Sequence, residues 1–316
     1  MKRRVAFFGS PSYALPCLEA LWSHHLLAAV ISQPDQPQGR GLALRSPPVA
    51  ERARALGLPL FQPSKLRDPA QLEPLLAELA GLQVEVGVTC AYGQILPKKL
   101  LSALPYGVIN AHASLLPRYR GAAPIQWALI RGERVSGVTL MQTEPGLDSG
   151  PVLLQRALAI PEGWDAVELS EALAQLSAEL VIAGLDQLDA LTPTPQDPQL
   201  ASLAPKLSRE DGRIRWEESA EQIVNRHRGV QPWPGSFTFW RGQRLKVAQL
   251  RAGPEVGLGE SGEVLAVRSA GGVLVRAGTG NAAGSVELLA VQPESRSATS
   301  AAEWLRSHGA IGIRLG

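Results

Sequence analysis

The sequence predicts an α/β protein in two parts: an open, mostly parallel Rossmann-like sheet with helices on both faces, followed by a small OB-like β-barrel. Three observations carry this expectation. Short Val- and Ile-rich runs alternate with helical patterns as far as Leu191, a proline-rich polar stretch interrupts the chain, and short apolar runs divided by glycines follow it. The expected division is an α/β domain over 1–191, a linker over 192–206 and a β-barrel domain over 207–316.

In order along the chain, the alternation reads as follows. Strand-like Val5 to Phe8 precedes helical Tyr13 to His25, and Leu27 to Ser32 precedes Pro48 to Leu56. Leu58 to Phe61 precedes Pro69 to Ala80, Val84 to Cys90 precedes Pro97 to Leu104, and Val108 to Ala113 precedes Ala122 to Arg131. Strands separated by helices need crossover connections, which make a sheet parallel and put ligands beyond its carboxyl ends. A long helix from Ala166 to Leu191 is stopped by Pro193, Pro195 and Pro198. After a helical pattern around Glu218 to Arg228 come five strand-like runs: Phe237 to Trp240, Arg244 to Leu250, Gly262 to Arg268, Val273 to Ala277 and Val286 to Val291.

Composition narrows the function classes. A chain of 316 residues, 45% of them hydrophobic, buries one or two substantial cores, and a net charge of +2 lacks the excess of a protein that coats nucleic acid. Any RNA contact is therefore expected as a local patch, in the slightly more basic second half. Cys17 and Cys90 form no CxxC pair and lie near no histidine at ligand spacing, so neither disulfide nor metal is expected. The apolar run after Met1-Lys-Arg-Arg4 ends at Gly9-Ser10-Pro11, too early for a signal peptide, and nothing approaches the roughly 18 apolar residues of a membrane span; a cytoplasmic protein is expected. The first turn has one glycine and a proline where a dinucleotide fold needs three glycines, which disfavours NAD.

The chemistry-bearing stretch runs from Gly107 to Pro124. If Val108 to Ala113 is a strand, Asn110 and His112 project from one face near its carboxyl end. An amide NH2 can hold the oxyanion of a tetrahedral acyl intermediate, and an imidazole can carry a proton near neutral pH. Downstream, Asp148 lies in a loop between Gly146 and Gly150 that can bend sharply and aim its carboxylate at His112. Taken singly, Asn110 could cap a turn, His112 could be a hydrogen-bonded core residue, and Asp148 could begin a turn. Together they suit acyl transfer to an amine.

These residues carry a resemblance to the folate-dependent formyltransferases over nearly the whole chain. It includes Phe8-Gly9-Ser10-Pro11, Gln33-Pro34-Asp35 with Gly39-Arg40-Gly41, Ala91-Tyr92-Gly93-Gln94-Ile95-Leu96-Pro97, the Asn110 to Pro124 stretch and Gly146-Leu147-Asp148-Ser149-Gly150. In the second part it includes Lys206-Leu207, Asp211 to Trp216, and Arg228-Gly229 with Pro232-Trp233-Pro234-Gly235. The resemblance implies that Asn110, His112 and Asp148 are catalytic and that 10-formyltetrahydrofolate is the donor. It implies a folate-binding segment at Ser114, Leu115, Leu116 and Pro117, and a backbone strip at Gln94, Ile95 and Leu96 that reads the pterin edge.

For the acceptor, the second part resembles the barrel of family members that act on initiator methionyl-tRNA, in a chain expected to be a monomer. The resemblance implies that the Gln33 to Pro48 loop reaches the acceptor end through Arg40; Leu42 and Ala43 stand where relatives often carry lysines, a departure for which Arg45 is expected to compensate. Arg213, Arg215 and Arg228 are the leading candidates for phosphate contacts, accompanied by Arg226, Arg241, Arg244 and Lys246; scattered surface arginines are the plainer alternative. The catalytic trio leaves other acceptors open. A small amine such as an amino sugar, water in a formyl-folate hydrolase, or no reaction at all in a folate- or RNA-binding module are the alternatives.

Overall fold

A computed structural model of the chain describes residues 2–38, 43–255, 259–280 and 284–316. Its elements run in the order β1 (Arg4–Gly9), α1 (Leu15–His24), β2 (Leu26–Ile31), β3 (Gln36–Gln38), β4 (Ala43–Arg45), α2 (Pro48–Ala55), β5 (Leu60–Phe61), α3 (Pro69–Gly81), β6 (Val86–Cys90), α4 (Lys98–Leu101), β7 (Val108–His112), α5 (Pro124–Ile130), β8 (Val135–Gln142), β9 (Val152–Ala159) and α6 (Ala166–Asp186). They continue with α7 (Ala220–Gly229), β10 (Ser236–Trp240), β11 (Gln243–Ala252), β12 (Val264–Val267), β13 (Val273–Ala277), β14 (Gly284–Pro293), β15 (Thr299–Ser300) and α8 (Ala301–His308). The chain divides into two compact units: Met1–Pro124 with Val135–Ala159 and Ser170–Pro205, and Ile125–Arg134 with Ile160–Leu169 and Lys206–Gly316.

The first unit holds a seven-stranded sheet in the order β5-β2-β1-β6-β7-β8-β9. Its central parallel strands are near-continuous apolar runs because both faces are covered. Ala6 and Phe8 pack in one core with Leu72, Leu75 and Leu79, the buried stripe of α3, while α1 and α2 pack against β2 from the helical layer that buries Leu18, Leu21, Val49 and Ala53. Asp68 starts α3 by accepting the Ala70 N–H at 3.0 Å, with Pro69 in the first turn, where a missing N–H is harmless.

The sheet is parallel from β5 to β7, and then β8 and β9 turn antiparallel. The strand β9 has no counterpart in the alternation read from sequence. It is an edge strand whose residues Gln155, Arg156 and Ala157 are exposed, so its apolar signal is weak. A second difference concerns the proline-rich stretch. Thr194 and Val152 exchange both backbone hydrogen bonds at 2.8 Å, and Arg120 and Ala204 bond each other's neighbourhood through Arg120 N to Ser202 O and Ala204 N to Arg120 O, at 2.8 and 2.7 Å. Proline removes donors, but the residues between the prolines keep theirs, and residues 192–205 are a strap on the first unit rather than a free tether.

The second unit is built on the sheet β10-β11-β14-β13-β12, antiparallel throughout, with β15 beside β14. Its core gathers Ile214, Trp216, Ile223, Val247, Val264, Val275, Val286, Leu288, Val291 and Trp304. The C-terminal residues run between the two sheet edges, with Val264 N bonded to Ile313 O on one side and Gly316 N to Phe239 O on the other, at 2.8 and 3.0 Å. This approach to closure matches the expected barrel. The helix α7 starts in a capping box formed by Ser219 and Gln222.

Candidate active site

Strand β7 lies between β6, parallel, and β8, antiparallel, with Asn110 opposite Thr89 and His112 opposite Thr139. The Thr89 hydroxyl donates to Asn110 Oδ1 at 2.7 Å. With its oxygen engaged, the amide presents its NH2 as the free end, the orientation an oxyanion donor needs. Two residues further on the same face, His112 is only 7% exposed.

The loop after β7 fixes this imidazole. The Tyr119 carbonyl sits 2.9 Å from His112 Nε2. A carbonyl only accepts, so Nε2 carries the hydrogen and a neutral ring keeps a bare lone pair on Nδ1. That nitrogen lies 3.7 Å from Asp148 Oδ2. The same carboxylate oxygen accepts the Gly121 backbone N–H at 2.8 Å. Gly121 has φ +122°, and a Cβ there would stand 2.7 Å from the Ala204 carbonyl oxygen, so the turn that delivers this N–H requires glycine.

Asp148 itself is held in the left-handed region, φ +48°, a conformation aspartate tolerates better than most residues. Gly150 sits so close to the Gln142 carbonyl that a side chain would overlap it. Gly150 thus serves by its lack of a side chain, while the left-handed turn falls on Asp148 itself, and His112 and Asp148 meet although they are remote in sequence.

The other expected site residues divide. Ser114 is buried, donating to Arg118 O at 2.6 Å, while Thr139 Oγ1 donates to the Ser114 carbonyl at 2.6 Å and accepts the Leu116 N–H at 3.0 Å. Ser114 and Leu116 are therefore internal supports of the loop, and Leu115 and Pro117 are its half-buried members. The Gln94 side chain is committed to Leu66 N and Pro63 O, at 3.0 and 2.8 Å. Among the described residues no protein partner takes the main-chain polar groups of Gln94, Ile95 and Leu96, and the Ile95 side chain is 65% exposed. That strip offers donors, acceptors and an apolar face to a ligand.

Arg40 lies outside the described residues, and Arg45 is exposed on β4, paired with Gln36 of β3. The start of this loop is anchored at Asp35, whose carboxyl is held below the usual range by hydrogen bonds from Gln62 and Ser46, both at 2.7 Å. Arg213 and Arg215 are exposed, each 3.5 to 3.6 Å from a glutamate, Glu210 and Glu218. Arg228 is different: it donates to Trp164 O at 2.5 Å and Asn225 Oδ1 at 3.2 Å, and burial lowers its pKa, so its guanidinium is an internal tie of the second unit. Arg244 and Lys246 stand out instead, on the exposed face of β11 opposite Phe239 and Phe237. Among the described residues no cluster of side chains suits a metal.

Thr89, the Tyr119 carbonyl and the Gly121 N–H escaped the sequence reading of roles. The last two lie within the Asn110 to Pro124 stretch, but backbone groups carry no side-chain signal of their own.

The formyl transferase pattern matches residues 3–185, and that of the formyl transferase C-terminal domain matches 206–309. The chain belongs to the formyl transferase family. This formyl transferase is 51% identical over 95% of its length to a methionyl-tRNA formyltransferase of Deinococcus radiodurans, covering 92% of that protein. It is 49% identical to the Thermus thermophilus protein of the same name, over 99% of both chains. Its fold is also that of an N-formyltransferase from Helicobacter canadensis solved with folinic acid and dTDP-3-aminofucose, at a TM-score of 0.66 and 15% identity, covering 92% of this chain and 99% of that one.

Proposed function

We propose that this formyl transferase moves the formyl group of 10-formyltetrahydrofolate onto the α-amine of initiator methionyl-tRNA, acting as a cytoplasmic monomer in translation initiation. The observation that carries the chemistry is the pairing of His112 Nδ1 with Asp148 Oδ2 at 3.7 Å on the strand that bears Asn110. Full-length likeness to two methionyl-tRNA formyltransferases at about half identity supports the acceptor. No helix among the described residues is long and apolar enough to cross a membrane.

The residues divide the work as follows. Formyl transfer forms a bond from the amine nitrogen to the formyl carbon, breaks the bond from that carbon to N10, and moves one proton from the amine to N10. Asn110 donates its amide hydrogens to the oxygen that gains charge as the carbon becomes tetrahedral. His112 takes the proton at Nδ1, since Nε2 is already engaged with Tyr119 O, and returns it to the departing nitrogen. Asp148 stabilises the imidazolium between those two events. Ile95 and the main chain of 94–96 suit a flat heterocycle with polar edges, the chemistry of a pterin.

The test is incubation with labelled 10-formyltetrahydrofolate and methionyl initiator tRNA, with parallel arms holding a nucleotide-linked amino sugar or no acceptor. Labelled formyl-methionyl-tRNA is expected in the first arm alone. Transfer to the sugar, release of free formate, or no product would each replace this reading with one of its alternatives.

A further inference from the structure

The strap over residues 192–205 passes beside the catalytic loops, and one of its side chains behaves unlike its neighbours. From Thr192 to Leu200 every residue is exposed except Gln196. Gln196 Nε2 donates to the Asp148 carbonyl at 2.9 Å and to the Gly150 carbonyl at 2.7 Å, so its two amide hydrogens are both used on the turn that aims the Asp148 carboxylate. Its Oε1 accepts from Arg120 Nε and Nη2, at 3.0 and 2.7 Å. Arg120 sits between Tyr119, whose carbonyl fixes His112, and Gly121, whose N–H holds Asp148 Oδ2.

One amide thus joins the two loops that present the His112 and Asp148 partners. The join matters because Asp148 has a positive φ, a backbone conformation that L-residues keep only where surrounding contacts over-determine it. A 3.7 Å separation between imidazole and carboxylate leaves little slack: a further ångström would weaken their attraction and misplace the proton acceptor.

We infer that Gln196 is a positioning residue for the formyl transfer step: through the Asp148 and Gly150 carbonyls and the Arg120 guanidinium, it sets the distance between His112 and Asp148. This rests on the catalytic roles proposed above. Gln196 touches no reacting atom, so its loss acts on turnover and leaves the grip on either substrate as it was. Gln196→Ala removes both halves of the join. Gln196→Glu keeps the acceptor for Arg120 but has no hydrogen for the two carbonyls, and it isolates the half that holds the aspartate turn.

Both variants are assayed in the full chain for kcat and for KM of formyl-folate and methionyl-tRNA, well below their melting temperatures, with Asp148→Asn as the control. The expected result is a fall in kcat of about ten- to hundredfold in each Gln196 variant, with both KM values within about twofold of the parent. Wild-type kcat in Gln196→Glu and Gln196→Ala beside an impaired Asp148→Asn would overturn the inference, as would a raised KM with unchanged kcat. A fully active Asp148→Asn would instead overturn the catalytic reading on which it rests. Because Gln196→Glu keeps its size and its Arg120 contact, it serves where the alanine variant melts too early to assay.

Discussion

The Thr89 hydroxyl donates to Oδ1 of Asn110 over 2.7 Å, from the neighbouring parallel strand, and so leaves the NH2 as the free end of that amide. Thr89→Val keeps the shape of the side chain and removes the donor. Single-turnover formyl transfer is expected to slow by about tenfold in Thr89→Val and by about 10²- to 10³-fold in Asn110→Ala, the size of effect seen on losing an oxyanion donor. Equal rates in Asn110→Ala and the parent would remove the amide from the mechanism.

Asp148→Asn tests charge with little change of shape. Asparagine accepts the left-handed backbone that Asp148 adopts at φ +48°, so the fold and melting temperature should hold. The Gly121 N–H keeps an acceptor, but an imidazolium at His112 loses its counter-ion, and kcat should fall by about 10²- to 10⁴-fold. The check is kcat beside a circular dichroism melt of the same preparation.

Gly121→Ala tests backbone. With φ +122° and the Ala204 oxygen 2.7 Å from the new Cβ, the turn must shift, at a cost of roughly 1 to 3 kcal/mol in stability. Since the same turn supplies the N–H to Asp148, activity should fall further than the loss of folded protein accounts for. Denaturant titration and kcat per folded molecule separate the two.

In the second unit, burial pushes His227 down to about 4, only partly opposed by the Asp165 carboxylate, and its Nδ1 lies 2.8 Å from Ser236 Oγ. The unfolded imidazole takes its proton near the ordinary 6.5, so between about 6.5 and about 4 the unfolded chain binds more protons than the folded one. Stability from keeping this ring neutral is complete above that window and drains away as pH falls through it, by at most on the order of 3 kcal/mol. Melting temperatures from pH 7 downward should drop less steeply in His227→Gln than in the parent; parallel slopes would remove His227 as the cause.

For RNA, the exposed cations of β11 and its neighbourhood are expected to meet phosphates. Arg244 lies over the Phe237 ring at 3.9 Å and Arg213 over Phe239 at 5.3 Å, which stiffens both guanidinium groups, with Lys246 on the same exposed face. Binding of methionyl-tRNA should weaken as salt rises, and Arg244→Ala or Lys246→Ala should each reduce the logarithmic salt slope by about one. Arg228→Ala should instead lower the melting temperature, since its guanidinium ties α7 to the Trp164 carbonyl.

Much of this architecture was legible because buried parallel strands and amphipathic helices write unmistakable periodicities, as Val86 to Cys90 and the Leu72, Leu75, Leu79 stripe do. The placement of Asn110, His112 and Asp148 was legible too, since strand alternation puts the first two on one face and flanking glycines mark the third. What could not be read is whatever depends on tertiary approach. Arg228 looks like any surface arginine until α7 brings it to Trp164, Ser114 looks like a ligand contact until Thr139 claims its carbonyl, and β9 hides because Gln155 and Arg156 interrupt its apolar run at the exposed sheet edge. Gln196, in a stretch whose prolines signal a spacer, gives no local sign of its bonds to Asp148, Gly150 and Arg120.

A spacer ordinarily tolerates insertions and deletions, because nothing reads its length. Between Thr194, registered against Val152, and Leu203, registered against Arg120, the chain has a fixed count to keep. Gaining or losing a single residue there would slide one anchor out of step with the other and drag Gln196 off the turn it grips, so a segment that looks freely adjustable is metered as strictly as a strand.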